Sequence, residues 1–185
     1  MNVTHMPLMH LYPGNLRTET VEDGVDVQMI SAEDDVATAT AVATVGFGSP
    51  GTEVRPAGSE ALTGAASAIA APTLEFTRER LRDGFTVMAV ATLDGVPVAS
   101  GSHQPTGGAT EITGVAVLPA YRRRGLGTAV TAALVQDATE RGVGTVFLSA
   151  GSEEVARVYE RVGFARVGRV GAAELAQSVG QPTMR

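Results

Sequence analysis

The chain has 185 residues, of which 44% are hydrophobic and 18% charged, and a formal net charge of -6, the composition of one soluble globular domain with a sizeable core. It has no cysteine and only three scattered histidines, His5, His10 and His103, which excludes disulfides, thiolate metal sites and cysteine nucleophiles and gives no reason to expect zinc. No run of about 18 apolar residues and no charged-then-apolar leader is seen, so the expected location is cytoplasmic, with neither membrane nor nucleic acid as partner and room for a cationic substrate.

Residues 1–24 are polar and unpatterned, with turn residues at Pro13, Gly14 and Asn15. They read as an arm or an added edge segment ahead of a domain spanning 25–185. The valine-rich stretch 25–30 is the first expected strand. Ser31 with Asp34 three positions on is an N-cap pattern that opens a helix over 32–45. Residues 46–64 carry Ser49-Pro50-Gly51 and Pro56-Ala57-Gly58 and form a loop long enough to act as a lid or substrate segment. A helix in two pieces around Pro72 is expected over 65–82. Strands at 85–93 and 96–101 flank Asp94-Gly95, a strong hairpin signal. A turn at 105–108 returns the chain into a strand at 109–118. A helix at 126–141, stopped by Gly142, places Leu126, Val130, Ala133, Leu134 and Ala138 on one face, with Thr131 and Gln136 elsewhere, and so packs on a sheet. A strand at 145–149, a helix at 152–162 stopped by Gly163, and a strand from Phe164 complete the chain.

The densest chemical signal is Val-Ala-Val-Leu-Pro-Ala-Tyr-Arg-Arg-Arg-Gly-Leu-Gly at 115–127. A strand here runs into an arginine and glycine turn and opens a helix. Gly125 and Gly127 let the backbone approach an anion, and the helix from Leu126 aims its free N–H groups and positive dipole end at it. Arg122, Arg123 and Arg124 add charge and forked donors suited to pyrophosphate oxygens. The plainer reading is a solvated turn before a glycine-rich helix start. A dinucleotide fingerprint would need glycine at Val130 or Arg123. A P-loop would need a lysine, and every non-histidine basic residue is arginine.

This strand, turn and helix, followed by a strand and by Tyr159-Glu160-Arg161-Val162-Gly163-Phe164, resembles the GNAT superfamily of acyl-CoA-dependent N-acetyltransferases over about 85–170 and plausibly back to 25. The resemblance implies an α/β (α+β) fold: a twisted mixed, mostly antiparallel sheet with helices on both faces and splayed central strands. It also implies acetyl-CoA as co-substrate, no metal, and direct transfer of an acetyl group to a primary amine. A small-molecule amine is the expected acceptor, with a protein N-terminus or lysine as alternatives. A non-catalytic acyl-CoA sensor or assembly module is the rival reading, and a homodimer is possible.

By position, the resemblance has the backbone of Val115, Ala116 and Val117 pairing with the pantetheine amides, with the Val117 N–H also holding the oxyanion. It has Arg122 to Thr128 wrapping the pyrophosphate. Tyr159 becomes the general acid, since a departing thiolate needs a proton and a phenol of pKa about 10 can supply it when held close. Val155, Val158, Tyr159 and Val162 also form a packing stripe, so a structural tyrosine stays open. Ser152 stands where members often carry a cofactor-contacting asparagine, which weakens that contact, and is better read as a helix N-cap. Glu111, at the head of the central strand, is the base, directly or through water. Simple alternation would place Glu111, Thr113, Val115 and Val117 on one face. His103 is the rival base.

Overall fold

The computed structural model describes residues 2–18 and 20–174. Seven strands form one sheet: β1 (Asn2–Leu11), β2 (Val25–Ile30), β3 (Val87–Leu93), β4 (Val96–Thr106), β5 (Ala109–Val117), β6 (Thr145–Ser149) and β7 (Ala165–Glu174), in the order β2-β3-β4-β5-β6-β1-β7. Five helices cover it: α1 (Val36–Phe47), α2 (Leu62–Ser67), α3 (Ala71–Arg82), α4 (Leu126–Glu140) and α5 (Glu153–Val162). Every neighbouring pair is antiparallel except β5 and β6, which run parallel.

Local chemistry sets most boundaries. Asp94 and Gly95 both have positive φ, 50° and 80°, as the tight turn between β3 and β4 requires. Asp35 caps α1 by accepting from the Thr38 N–H at 3.0 Å. The expected Ser31–Asp34 pair does form, with Asp34 accepting from the Ser31 N–H at 2.7 Å, but it closes the turn ahead of the helix, which therefore starts four residues later than expected. Pro72 lies in the first turn of α3, where its missing N–H costs nothing. Ser152 caps α5 by accepting from Val155 N–H at 3.2 Å.

The N-terminal segment departs from the expectation of an arm or edge. β1 lies inside the sheet, antiparallel to β6 on one side and to β7 on the other. Its buried positions Pro7, Met9 and Leu11 alternate with half-buried Leu8 and His10. Period-two burial is therefore real, but a proline and two histidines hide it from a hydropathy reading.

The main core lies on the face covered by α4 and α5, where Leu126, Val130, Leu134, Ala156 and Val162 pack with Met9, Ala89 and Leu148. α1 and α3 cover the opposite face, with Ala39 and Leu81 against Met88 and Val90. Thr131, expected off the apolar face of α4, is fully buried and satisfies its hydroxyl on Gly127 O at 2.7 Å.

Two irregularities in the middle of the sheet create space. β5 and β6 pair only from Ala109–Thr145 to Glu111–Phe147, and beyond that both strands continue unpaired with each other. On its other side, β5 pairs Thr113 with Ser102 and Ala116 with Ser100, so two residues face one. The extra residue is a β-bulge, and Gly114 sits in it at φ 64°, a conformation that favours glycine. The bulge resets the alternation. Thr110, before it, reaches the α4 side through His103, and Val115 and Val117, after it, also lie against α4 beside Gly127. Glu111 and Thr113 consequently look to the α1 and α3 face. The expected common face for Glu111, Thr113, Val115 and Val117 is thus split in two.

Candidate functional site

The gap between the diverging β5 and β6 widens into a cavity of about 970 Å³, bounded by β5, the turn before α4, the loop after α1, and α5. The sequence predisposes each wall. Past Glu111 the β5 edge has no strand partner on the β6 side, and residues 112–117 border the cavity along that edge. Val115, Ala116 and Val117 therefore present backbone to it while the valine side chains pack on α4. An extended ligand with amide groups could complete the edge as a strand would.

At the end of β5 the chain turns into α4. Gly125 caps the helix at φ 76°, and the first helical bond runs from Ala129 N–H to Gly125 O at 2.9 Å. The N–H groups of Leu126, Gly127 and Thr128 are left outside the helical ladder at the positive end of its dipole. Leu126 and Thr128 have buried side chains, so each offers only its backbone. A Cβ built on Gly127 would meet nothing closer than Val117 Cγ2 at 3.5 Å. The protein's own packing therefore does not demand a glycine there, and its bareness leaves space on the cavity side.

The three arginines of the turn have separate fates. Arg122 is a strut, with Nη2 donating to Gly46 O at 2.8 Å and Ser49 O at 2.6 Å and Nη1 to Glu53 O at 3.2 Å, and burial together with nearby Arg55 lowers its pKa. Arg123 borders the cavity and holds φ 66°, an uncommon backbone for a residue with a Cβ. Arg124 turns aside, pairing with Glu22 at 3.1 Å and lying over the Tyr121 ring at 5.5 Å. Two further arginines, Arg157 and Arg161, border the cavity from α5. The sequence reading missed them, although their spacing of four already put them on one helix face. The loop after α1 crosses to α5 through a hydrogen bond from the Thr52 hydroxyl to Glu154, both of which border the same cavity, as does Ser152.

Tyr159 borders the cavity from α5 and is half-buried, edge-on to Phe164 with ring centroids 5.8 Å apart. Burial pushes its phenol up to about 12, so at neutral pH Tyr159 carries its proton. Packing and proton donation are compatible in this placement, because the ring rests on Phe164 while the residue lines the cleft. Glu111 ends the paired part of β5 and accepts from the Ser149 hydroxyl at 3.4 Å. It borders neither cavity itself, but Ile112 beside it and Ser149 line the larger one, and Gln104, directly across the strand pair, lines the smaller.

His103, the rival base, is fully buried on the other face. Its Nε2 lies 2.9 Å from Asp137 Oδ2 and its Nδ1 2.9 Å from Thr110 Oγ1, and Arg141 pairs with the same Asp137 at 2.5 Å. Burial lowers the His103 pKa despite the carboxylate beside it. A neutral ring must give its Nε2 proton to the carboxylate and accept from Thr110 on Nδ1. The row of threonine, histidine and aspartate resembles a nucleophile relay, but none of the three borders either cavity. It ties β4 and β5 to α4.

A second cavity, of about 270 Å³, opens on the α1 and α3 face, and Gly114 borders both. The bulge is thus the point that the two spaces share.

Comparison with known proteins agrees with this geometry. Residues 59–164 match the acetyltransferase (GNAT) family, and the chain belongs to that family. Among solved structures, it is similar to a GCN5-related N-acetyltransferase from Kribbella flavida, at 23% identity and a TM-score of 0.64 over 92% of this chain and 57% of that one. A GCN5-related N-acetyltransferase from Sphaerobacter thermophilus gives 22% and 0.63, over 91% of this chain and 50% of that one. An aminoglycoside acetyltransferase from an uncultured soil metagenomic sample gives 19% and 0.58, over 84% and 99%. The chain thus spans roughly half to three-fifths of the first two neighbours. No curated protein matches it.

Proposed function

We propose that this chain is an acetyl-CoA-dependent N-acetyltransferase that acts on a small primary amine by direct transfer. The observation that carries the reading is the cleft itself: an unpaired β5 edge leading to the bare α4 N-terminus, and meeting a second cavity at the Gly114 bulge. The cleft is the right size for an elongated ligand. Free N–H groups at Leu126, Gly127 and Thr128, with Arg123, Arg157 and Arg161 around them, suit a pyrophosphate and a further phosphate. Among the described residues no helix is long and apolar enough to cross a membrane, and the proposed setting is the cytoplasm.

Acetyl-CoA would supply an activated acyl group as its thioester. The residues of the chain would then divide the work. The β5 edge at Val115 to Val117 orients the arm, and the Val117 N–H faces the acyl oxygen where charge develops. Glu111, on the acceptor face, receives a proton from the amine, directly or through a water. The new bond is nitrogen to carbon, the broken bond is carbon to sulfur, and Tyr159 Oη delivers its proton to the departing sulfur. Holding both reactants at the bulge makes the attack effectively unimolecular.

The test combines calorimetry with acetyl-CoA and a thiol-release assay against a panel of primary amines. Micromolar binding with amine-dependent thiol release is the expected result. Binding without release by any amine would favour the acyl-CoA sensor instead, and absence of binding would remove both.

A further inference from the structure

The smaller cavity carries a charge pattern opposite to that of the whole chain. None of its lining residues is aspartate or glutamate, and its one ionised group is Arg80. The Arg80 guanidinium is held in place by bonds from Nε to Thr86 Oγ1 at 2.9 Å and from Nη2 to Phe85 O at 3.0 Å, and it lies 5.8 Å from the Phe76 ring centroid and 6.0 Å from that of Phe85. Among the described residues it makes no ion pair, and Nη1 has no hydrogen-bond partner. Deeper in the same cavity, Ser100 is 1% exposed and its Oγ has no partner at all, an arrangement that ordinarily costs stability. Phe76, Met88 and Ala43 supply the apolar wall.

A fixed guanidinium with free N–H groups asks for an acceptor oxygen, and the orphaned hydroxyl can donate to the same group. The guanidinium repels an ammonium at that end of the cavity. We infer that the acceptor is an amine bearing its own carboxylate, an amino acid with a compact apolar side chain, whose carboxylate meets Arg80 with Ser100 at hand. Its amino end then points to Gly114, where the two cavities join and where Glu111 sits across the strand pair from the lining residue Gln104. The volume of about 270 Å³ holds such a molecule and not an oligosaccharide amine. Local charge overrides the net charge of -6, which on its own suggested a cationic substrate. The inference rests on the acetyl-transfer reading for its orientation, but not for its binding chemistry.

The experiment uses L-methionine, L-methioninamide and spermidine as probes of the full chain loaded with CoA, with binding read by calorimetry and transfer read by thiol release from acetyl-CoA. Methionine and its amide share the amine and side chain and differ in the carboxylate. The amide has the less basic amine, so more of it is free base at neutral pH, and transfer would favour it if the carboxylate played no part. Methionine is expected to bind at least tenfold more tightly than methioninamide, and spermidine more weakly still. Arg80→Gln should erase the difference between methionine and its amide while leaving acetyl-CoA affinity unchanged. Ser100→Ala, which removes an unpaired hydroxyl and so should not impair folding, should weaken methionine several-fold. Equal or reversed preference, or no binding of methionine to protein that binds CoA, would overturn the inference. Transfer to spermidine alone would overturn it while sparing the acetyltransferase assignment, whereas tight methionine binding with no transfer to any amine would do the reverse.

Discussion

At the scale of single residues, the proposed reaction moves two protons, one through Tyr159 and one through Glu111. Tyr159 rests on Phe164, and its buried phenol, raised to about 12, stays protonated until well above neutral pH. Tyr159→Phe keeps the ring and its contact, so melting temperature should hardly change. If Oη donates to the leaving sulfur, turnover should fall by roughly a hundredfold with acetyl-CoA affinity intact, and steady-state kinetics beside a thermal melt separate that outcome from a packing loss. Glu111→Gln keeps a partner for the Ser149 hydroxyl and removes the base. Its expected mark is a drop in kcat of about tenfold or more that is partly relieved at high pH, where the amine loses its proton unaided. A flat pH dependence of the ratio between variant and parent would assign Glu111 to positioning only.

At the scale of elements, the α4 N-terminus and α5 are the proposed seat of the anion. Gly125 stands at positive φ, so any side chain there strains the turn before it touches a ligand. Gly127 is the cleaner probe, because a Cβ there meets only ordinary contacts. Gly127→Val should leave the fold intact and weaken CoA by at least about tenfold, or 1.4 kcal/mol; unchanged affinity by calorimetry would separate the helix start from the phosphate. The charge term is expected to come from Arg123, Arg157 and Arg161 rather than from Arg124, which is spent on Glu22 and Tyr121. Replacing Arg157 and Arg161 together by alanine should lower CoA affinity and flatten its dependence on salt, since screening acts on solvent-facing charge pairs. Arg124→Ala should change that slope little.

At the scale of the whole molecule, the buried His103 chain links sheet to helix and sets the response to acid. Burial lowers the His103 pKa in the folded state. Above the unfolded value of about 6.5 both states are neutral and the linkage is silent. As pH falls below it, the unfolded chain takes up a proton that the folded chain refuses, and stability drops by up to about 1.4 kcal/mol per pH unit until the folded value is reached. Asp137 adds a later step. Burial alone would raise its carboxyl, but the bonds from Arg141 and His103 more than offset this and hold it below the ordinary value of 3.8, so its contribution is present above that value and is lost as pH falls further. Melting temperature followed from pH 7.5 to about 2.5 should therefore decline in two stages, the first setting in below about 6.5 and the second below about 3.8. His103→Gln, less stable at neutral pH, should lack the first.

Much of this protein is written locally. The Asp94-Gly95 turn, the caps at Asp35 and Ser152, the position of Pro72 and the strand, turn and helix around Arg122 to Gly127 follow from near-neighbour chemistry, and that segment pointed to a bound pyrophosphate and, together with the Tyr159 to Phe164 ending, to the acetyltransferase (GNAT) family. What the sequence did not reveal depends on residues far apart in the chain. β1 enters the sheet between β6 and β7 because Pro7, Met9 and Leu11 find a core that only the assembled molecule provides. The bulge at Gly114 sends Glu111 and Val115 to opposite faces, which strict alternation along a strand has no means to anticipate. His103 carries the chemistry of a base, yet its place against Asp137 of α4 keeps it out of both cavities. Arg80 and Ser100, on which the inferred acceptor site rests, are unremarkable as letters. Pockets and buried charge are sums over distant segments, and only the tertiary structure performs that sum.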